Sequence, residues 1–132
     1  MKSKLFVPAS RPELFVKALA SQADAISFDL EDAVPETRKA EARIALRALL
    51  LAPGLARNGN GGNGKTLIVR VNAFESRHFQ DDIAAVVQSG VDLINLPKLR
   101  NAADVRAAGE WRRYADRAVA QYRIAGCVAW RV

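Results

Sequence analysis

The sequence predicts an α/β fold, the first four βα units of a TIM (β/α)8 barrel, that is, a truncated half barrel. Three observations carry this. Four short apolar runs alternate with four helix-like segments, the order of a parallel sheet with helices outside it. The runs are mostly continuous rather than alternating, as parallel strands covered on both faces should be. Polar residues collect at the ends of these runs: Arg11 after the first, Asp29, Glu31 and Asp32 at the second, Arg70 and Asn72 at the third, Lys98 after the fourth. A barrel keeps its chemistry at those ends. An open nucleotide-binding sheet would need a glycine-rich turn after its first strand, and PASRPE is not one.

The elements follow in order. Lys4–Ala9 (KLFVPA) is a short apolar strand stopped at Pro8. Ser10, Pro12 and Glu13 make a helix start, with a capping residue, a proline in the first turn and an acid near the positive end of the helix. Leu14, Phe15, Ala18 and Leu19 then share one helical face. Ala25–Leu30 (AISFDL) is the second strand. Pro35 and Glu36 open the second helix, with Ala42, Ala45, Leu46, Leu49 and Leu50 as its buried stripe and Pro53–Gly54 as its stop. Thr66–Val71 (TLIVRV), rich in β-branched residues, is the third strand. Asp81–Ser89 is the third helix, closed by Gly90. Val91–Leu96 is the fourth strand, ended by Pro97, and Asn101–Ala108 starts a fourth helix.

Composition bounds the function classes. The 132 residues allow one small domain with a core, and half of them are apolar, which marks a globular chain. No apolar run approaches the roughly 20 residues of a membrane span. The apolar stretch Leu5–Ala9 is shorter than the about 7 residues a signal-peptide core needs. The expected location is therefore cytoplasmic, with no membrane partner. One cysteine makes neither a disulfide framework nor a metal quartet. The net charge of +6 suggests nucleic acid, but the five Arg and two acids from Glu110 onward hold +3 of it. The rest is spread thinly, without the basic clusters and interleaved aromatics that nucleic-acid binding uses, so no nucleic-acid partner is expected. Asn58–Lys65 (NGNGGNGK) ends in GK but precedes a strand, whereas a phosphate loop follows a strand and opens a helix. It reads as a flexible connection.

Three segments carry chemistry. FDLEDAV gathers Asp29, Glu31 and Asp32 at one strand end, and Asp29 and Glu31 point the same way because side chains alternate along a strand. Like charges so placed need a cation, a cationic side chain or hydrogen bonds; alternatively Glu31 or Asp32 caps the next helix. VRVN sets Arg70 inside an apolar strand, where a guanidinium needs an anion, either a protein carboxylate or a substrate. LPK sets Lys98 past the fourth strand, as a substrate contact or a plain exposed lysine. His78 is read as a lone, solvated loop residue.

LFVPASRPE, DLEDAVPETRKAEAR, VRVN and LPK, in that order and spacing, resemble the HpcH/HpaI aldolase and citrate lyase β-subunit family, over residues 2 to about 105. The resemblance implies a TIM barrel about twice this length, often oligomeric, a CoA thioester or small keto or hydroxy acid as substrate, and Mg2+-dependent reverse Claisen or aldol cleavage of a carbon–carbon bond. In that chemistry the metal polarises the keto-acid carbonyl. By resemblance Arg70 is the catalytic and substrate-binding cation, with Lys98 beside the substrate. Glu31 and Asp32 orient waters or ligands around the metal. Phe6, Arg11 and Lys17 hold the nucleotide end of CoA. The family's two direct metal ligands, a Glu in a motif like N-I-E-T/S-P and an Asp one strand later, are absent, and Mg2+ usually takes one or two carboxylates directly.

Residues 1–106 thus read as the N-terminal half of the barrel and 107–132 as an anomalous tail. Both Trp, both Tyr and the single Cys fall after position 110. The codons of Gln121–Arg131 (QYRIAGCVAWR), read one base later, allow N-I-E-S-P-A-A-L-R-G, so the tail is read as the product of a one-base frameshift between Ala107 and Glu110. A half barrel would leave its first and fourth strands as open edges. Two expectations follow: an incomplete, inactive lyase chain, or a half-barrel CoA- or acid-binding or assembly module completed by another copy or a partner.

Overall fold

The computed structural model of the chain describes residues 2–53, 64–87, 91–98, 101–104, 106–107 and 110, and the backbone of 127–128. The glycine-rich segment before Gly64 and most of the tail lie outside the described residues.

Five parallel strands form one sheet in sequence order: β1 Lys4–Pro8, β2 Ala25–Asp29, β3 Thr66–Arg70, β4 Leu93–Asn95 and β5 Cys127–Val128. Helices α1 Phe15–Leu19, α2 Lys39–Leu50 and α3 Phe79–Val86 connect the first four. Short 3-10 turns at Pro12–Leu14 and Glu36–Arg38 lead into α1 and α2. Residues 102–104 and 106–107 are helical, where the fourth helix is expected. Among the described residues no helix is long and apolar enough to cross a membrane.

Two expectations need correction. Ser10 does not cap the first helix: Arg11 holds the capping position of the 3-10 turn without a side-chain hydrogen bond, and Ser10 is buried. The fourth strand is not an edge, because Ile94 and Asn95 pair in parallel with Cys127 and Val128. The sheet ends at β1 and β5 instead.

Strand alternation sorts the sheet into two faces. Val7, Ile26, Phe28, Leu67, Val69 and Ile94 join the buried residues of α1 (Phe15, Ala18), α2 (Ala42, Leu46, Leu50) and α3 (Ile83, Val86) in one apolar core. Phe15 meets Phe28 edge to face, with ring centres 5.1 Å apart, an arrangement that suits the ring quadrupoles. The other face carries Phe6, Ser27, Ile68 and Leu93 in one register row and Pro8, Asp29, Arg70 and Asn95 in the next. That second row lies at the C-terminal end of the sheet, where the strands hand over to the loops that carry Glu31, Asp32 and Lys98.

The opposite end of the sheet is closed by side chains. Asp24 accepts from the amides of Lys2 and Ser3 at 2.9 and 2.8 Å. Lys65 Nζ donates to the carbonyls of Ser21 and Ala23, both at 2.6 Å. Asp92 accepts from the Leu67 amide at 2.7 Å. Polar groups around the strand starts are satisfied locally there.

Candidate active site at the C-terminal end of the sheet

Parallel register makes Asp29 and Arg70 direct neighbours on β2 and β3. Arg70 Nε donates to Asp29 Oδ1 at 2.9 Å and NH2 donates to Oδ2 at 2.7 Å, the two-pronged pairing that a planar guanidinium makes with a carboxylate. Asp29 also accepts the backbone amides of Glu31 at 2.9 Å and Ala33 at 3.0 Å. Burial pushes the Asp29 carboxyl up, but Arg70 and the two amides outweigh it and hold it below the ordinary value. Its hydrogen bond to Asp29 raises Arg70 in turn, against the opposing effect of burial. The sequence left Arg70 open between a protein carboxylate and a substrate; the structure gives Nε and NH2 to Asp29. The third nitrogen, NH1, is 3.4 Å from Glu31 and 3.9 Å from Asp32.

Lys98 comes back over the sheet from beyond β4. Its Nζ is 2.9 Å from Glu31 Oε1 and 3.9 Å from Asp32 Oδ1. To do so the backbone takes φ +60°, the only positive value on a non-glycine residue among those described. That left-handed conformation is disfavoured by the Cβ of any L-residue. The neighbouring Glu31 carboxylate, and then Asp32, raise the Lys98 ammonium above its usual range.

Glu31 lies at the centre, 5% exposed. Lys98 and Arg70 approach it closely enough for ion pairs, yet neither carboxylate oxygen receives an aligned hydrogen bond. The Ser27 hydroxyl, one register row below on the same face, is buried and also lacks a hydrogen-bond partner among the described residues. Buried polar atoms normally have partners, so beyond its ion pairs with Lys98 and Arg70 the Glu31 carboxylate keeps acceptor capacity that the described residues leave unused. Glu31 and Asp32 do not cap the second helix; Pro35 precedes the 3-10 turn without a capping side chain.

Arg70, Lys98, Glu31 and Asp32 therefore meet in one ion-pair network. Phe6, Arg11 and Lys17 lie apart from it on the β1 side. Phe6 is 56% exposed, with the Lys4 ammonium 4.5 Å above its ring. Arg11 pairs with Glu13 in the 3-10 turn, and Lys17 occupies the last turn of α1.

Sequence reasoning missed a second network behind the first. Asp82 is buried, although it reads as a helix-start acid. It accepts from the Asn72 backbone amide at 2.8 Å, from Asn72 Nδ2 at 2.6 Å and from Arg43 Nε at 3.0 Å. Asn72 Nδ2 also donates to the Leu30 carbonyl at 3.0 Å. His78 is not solvated as expected. Its side chain is 13% exposed and bridges Arg43 NH2 at 3.2 Å and Glu36 at 2.6 Å. An arginine only donates, so Nδ1 accepts in this geometry and Nε2 carries the proton given to Glu36. The signal for this network was the acid pair Asp81–Asp82, of which a helix start needs only one.

Asp29 is fully engaged, Glu31 and Asp32 sit against two cations, and no group of three or more potential ligands occurs among the described residues. The described residues do not fit the direct coordination shell of a magnesium ion. With three acids against two cations, the network keeps a formal charge of −1, which favours a cation nearby over a bare anion.

The sequence pattern of the HpcH/HpaI aldolase/citrate lyase family matches residues 2–130. The chain is 38% identical over 109 residues to a (3S)-malyl-CoA thioesterase of Cereibacter sphaeroides, covering 83% of this chain and 36% of that protein. It is 35% identical to the citrate lyase subunit beta of Leuconostoc mesenteroides, covering 77% of this chain and 32% of that protein. The fold is similar to CitE of Mycobacterium tuberculosis, solved with magnesium, acetoacetate and coenzyme A, with a TM-score of 0.60 and 38% identity over 77% of this chain and 34% of that one. The chain spans about a third of the length of the curated relatives it matches.

Proposed function

Since this chain belongs to the HpcH/HpaI aldolase/citrate lyase family, we propose that it supplies the N-terminal, substrate-gripping half of a carbon–carbon lyase acting on a hydroxyacyl-CoA or a related keto or hydroxy acid. The observation that carries this is the Glu31 carboxylate, buried between Arg70 and Lys98 without an aligned donor. In this reading the first four parallel strands are part of a (β/α)8 barrel, and its working end is the end where Arg70, Glu31 and Lys98 meet. Residues 1–106 belong to that half barrel and 107–132 form a distinct tail.

The roles follow from geometry. Asp29 locks two guanidinium nitrogens of Arg70, so the remaining NH1 meets the acid substrate in a fixed direction. A donor held in advance where oxyanion charge develops stabilises the transition state without reorganising. Lys98 offsets charge at Glu31, and Glu31 accepts a hydrogen bond from a water or a substrate hydroxyl. Phe6, Arg11 and Lys17 take the CoA end. Magnesium dependence is part of the reading, and the family's two direct-ligand motifs are absent from this sequence, so the chain alone binds without turning over.

Saturation-transfer NMR with oxaloacetate, in the presence and absence of magnesium, tests this. The expected result is saturable transfer with magnesium present and weaker transfer without it, lowered at least about tenfold by Arg70→Lys, which keeps the charge and loses the fork, with no cleavage of malyl-CoA or citryl-CoA. A folded chain that shows no transfer at millimolar oxaloacetate refutes the reading. Sequencing the gene across codons 100–132 and beyond tests the tail. An inserted or deleted base restoring N-I-E-S-P marks a broken lyase. An intact frame favours the alternative, a half barrel completed by another copy or a partner.

A further inference from the structure

Lys39 has no part in the reading above, yet it reaches from the first residue of α2 back to the acid cluster. Its Nζ donates to the Leu30 carbonyl at 3.0 Å and to the Glu31 carbonyl at 2.8 Å. Together with the second network, these bonds account for the backbone around Glu31. The Leu30 amide donates to the Arg70 carbonyl at 2.9 Å. The Leu30 carbonyl accepts from Lys39 and from Asn72 Nδ2. The Glu31 amide donates to Asp29, and its carbonyl accepts from Lys39. Every polar backbone atom of Leu30 and Glu31 therefore has a partner, the Glu31 carbonyl accepting also from the Val34 amide at 3.2 Å.

We infer that Lys39 and Asn72, the latter gripped by buried Asp82, are positioning residues that hold the Glu31 carboxylate in the site without touching substrate. The need for such a brace is physical. Glu31 lies just past the end of β2, where ladder hydrogen bonds stop. Its side chain is ion-paired to Lys98 and Arg70 without an aligned hydrogen bond, so bonds to its backbone add the directional hold that the ion pairs lack. A functional group left to a free loop loses the sub-ångström placement that chemistry requires. Lysine suits the task because one ammonium offers three donors, and two carbonyls of consecutive residues converge on it. Asn72 suits the other side because its amide nitrogen has two protons, one for Asp82 and one for Leu30, and Arg43 completes the buried Asp82.

The purpose of Glu31 rests on the reading above, but the brace is tested without it. Lys39→Met keeps the stem and removes both bonds, leaving Asn72 and Asp82 intact; Lys39→Arg restores a donor able to serve two carbonyls. Amide hydrogen exchange followed by NMR is the first readout. The expected result is exchange at Glu31 and Ala33 at least about tenfold faster in Lys39→Met, with Val69 in the sheet unchanged and Lys39→Arg close to the parent. Unchanged exchange at Glu31 and Ala33, or equal acceleration at Val69, overturns the inference. Oxaloacetate transfer in the presence of magnesium is the second. If the parent chain binds, Lys39→Met should weaken binding at least tenfold and Lys39→Arg should rescue it; unaltered binding in Lys39→Met overturns the positioning role. If the parent does not bind, the functional reading fails, and the exchange measurement alone decides the brace.

Discussion

Arg70 on β3 faces Asp29 on β2 in register and holds both of its carboxylate oxygens, at 2.9 and 2.7 Å. The pair is the hinge of the site, since Asp29 fixes the turn through Glu31 and Ala33 while Arg70 points its last nitrogen at Glu31. Removing one partner of such a pair leaves a buried charge uncompensated. Arg70→Met is expected to lower unfolding free energy by about 3 kcal/mol, measured by urea denaturation. The double variant Arg70→Met with Asp29→Asn is expected to cost less than the sum of the two singles, because they share one interaction.

Asp29 also sets a pH dependence. Its folded pKa lies below the ordinary carboxylate value, so its unfolded form takes up a proton first as pH falls. The stability it contributes is fully present above about pH 4, the ordinary Asp value, and is lost as pH falls through the lower folded value. The stability gap between the parent and Asp29→Asn is expected to be largest near neutral pH and to shrink below about pH 4. Thermal melts at pH 7 and pH 3 check this. A gap that widens in acid would contradict the sign.

Lys98 combines strain with contact, and two substitutions separate them. Lys98→Gly and Lys98→Met both remove the ammonium from Glu31, but only glycine accepts φ +60° freely. Lys98→Gly is expected to be about 1 kcal/mol more stable than Lys98→Met. Equal stability of the two would show that the left-handed backbone at this position carries no strain.

Much of the site was legible because it lies where local pattern is strongest. The first and fourth apolar runs stop at prolines, the second runs into acids, and the helix faces repeat at the helical period, so Asp29, Arg70 and Lys98 could each be placed at or just past a strand end from spacing alone. The acid trio next to a strand arginine also announced compensation by a cation. His78 and Asp82 were not legible. Both look like ordinary loop and helix-start residues, and their burial comes from Arg43 on α2 meeting α3, 39 residues apart from Asp82 in sequence. Ser10 misled for the opposite reason. Its residue type suits a cap, but the turn places Arg11 at that position.

The sequence by itself determined the order of the first four strands and their helices, the end of the sheet that carries polar groups, and the family of the chain; the fifth strand, at Cys127–Val128, it did not. Those follow from periodicity and from motifs that are each contiguous along the chain. Only the tertiary structure decided how the charges are shared: Asp29 rather than Glu31 takes the fork of Arg70, Lys98 crosses from β4 to Glu31, and Lys39 and Asn72 hold the Glu31 backbone. The physical reason is register. Which acid meets which cation depends on the alignment of one parallel strand against the next, a distance of ångströms that spacing along the chain does not encode.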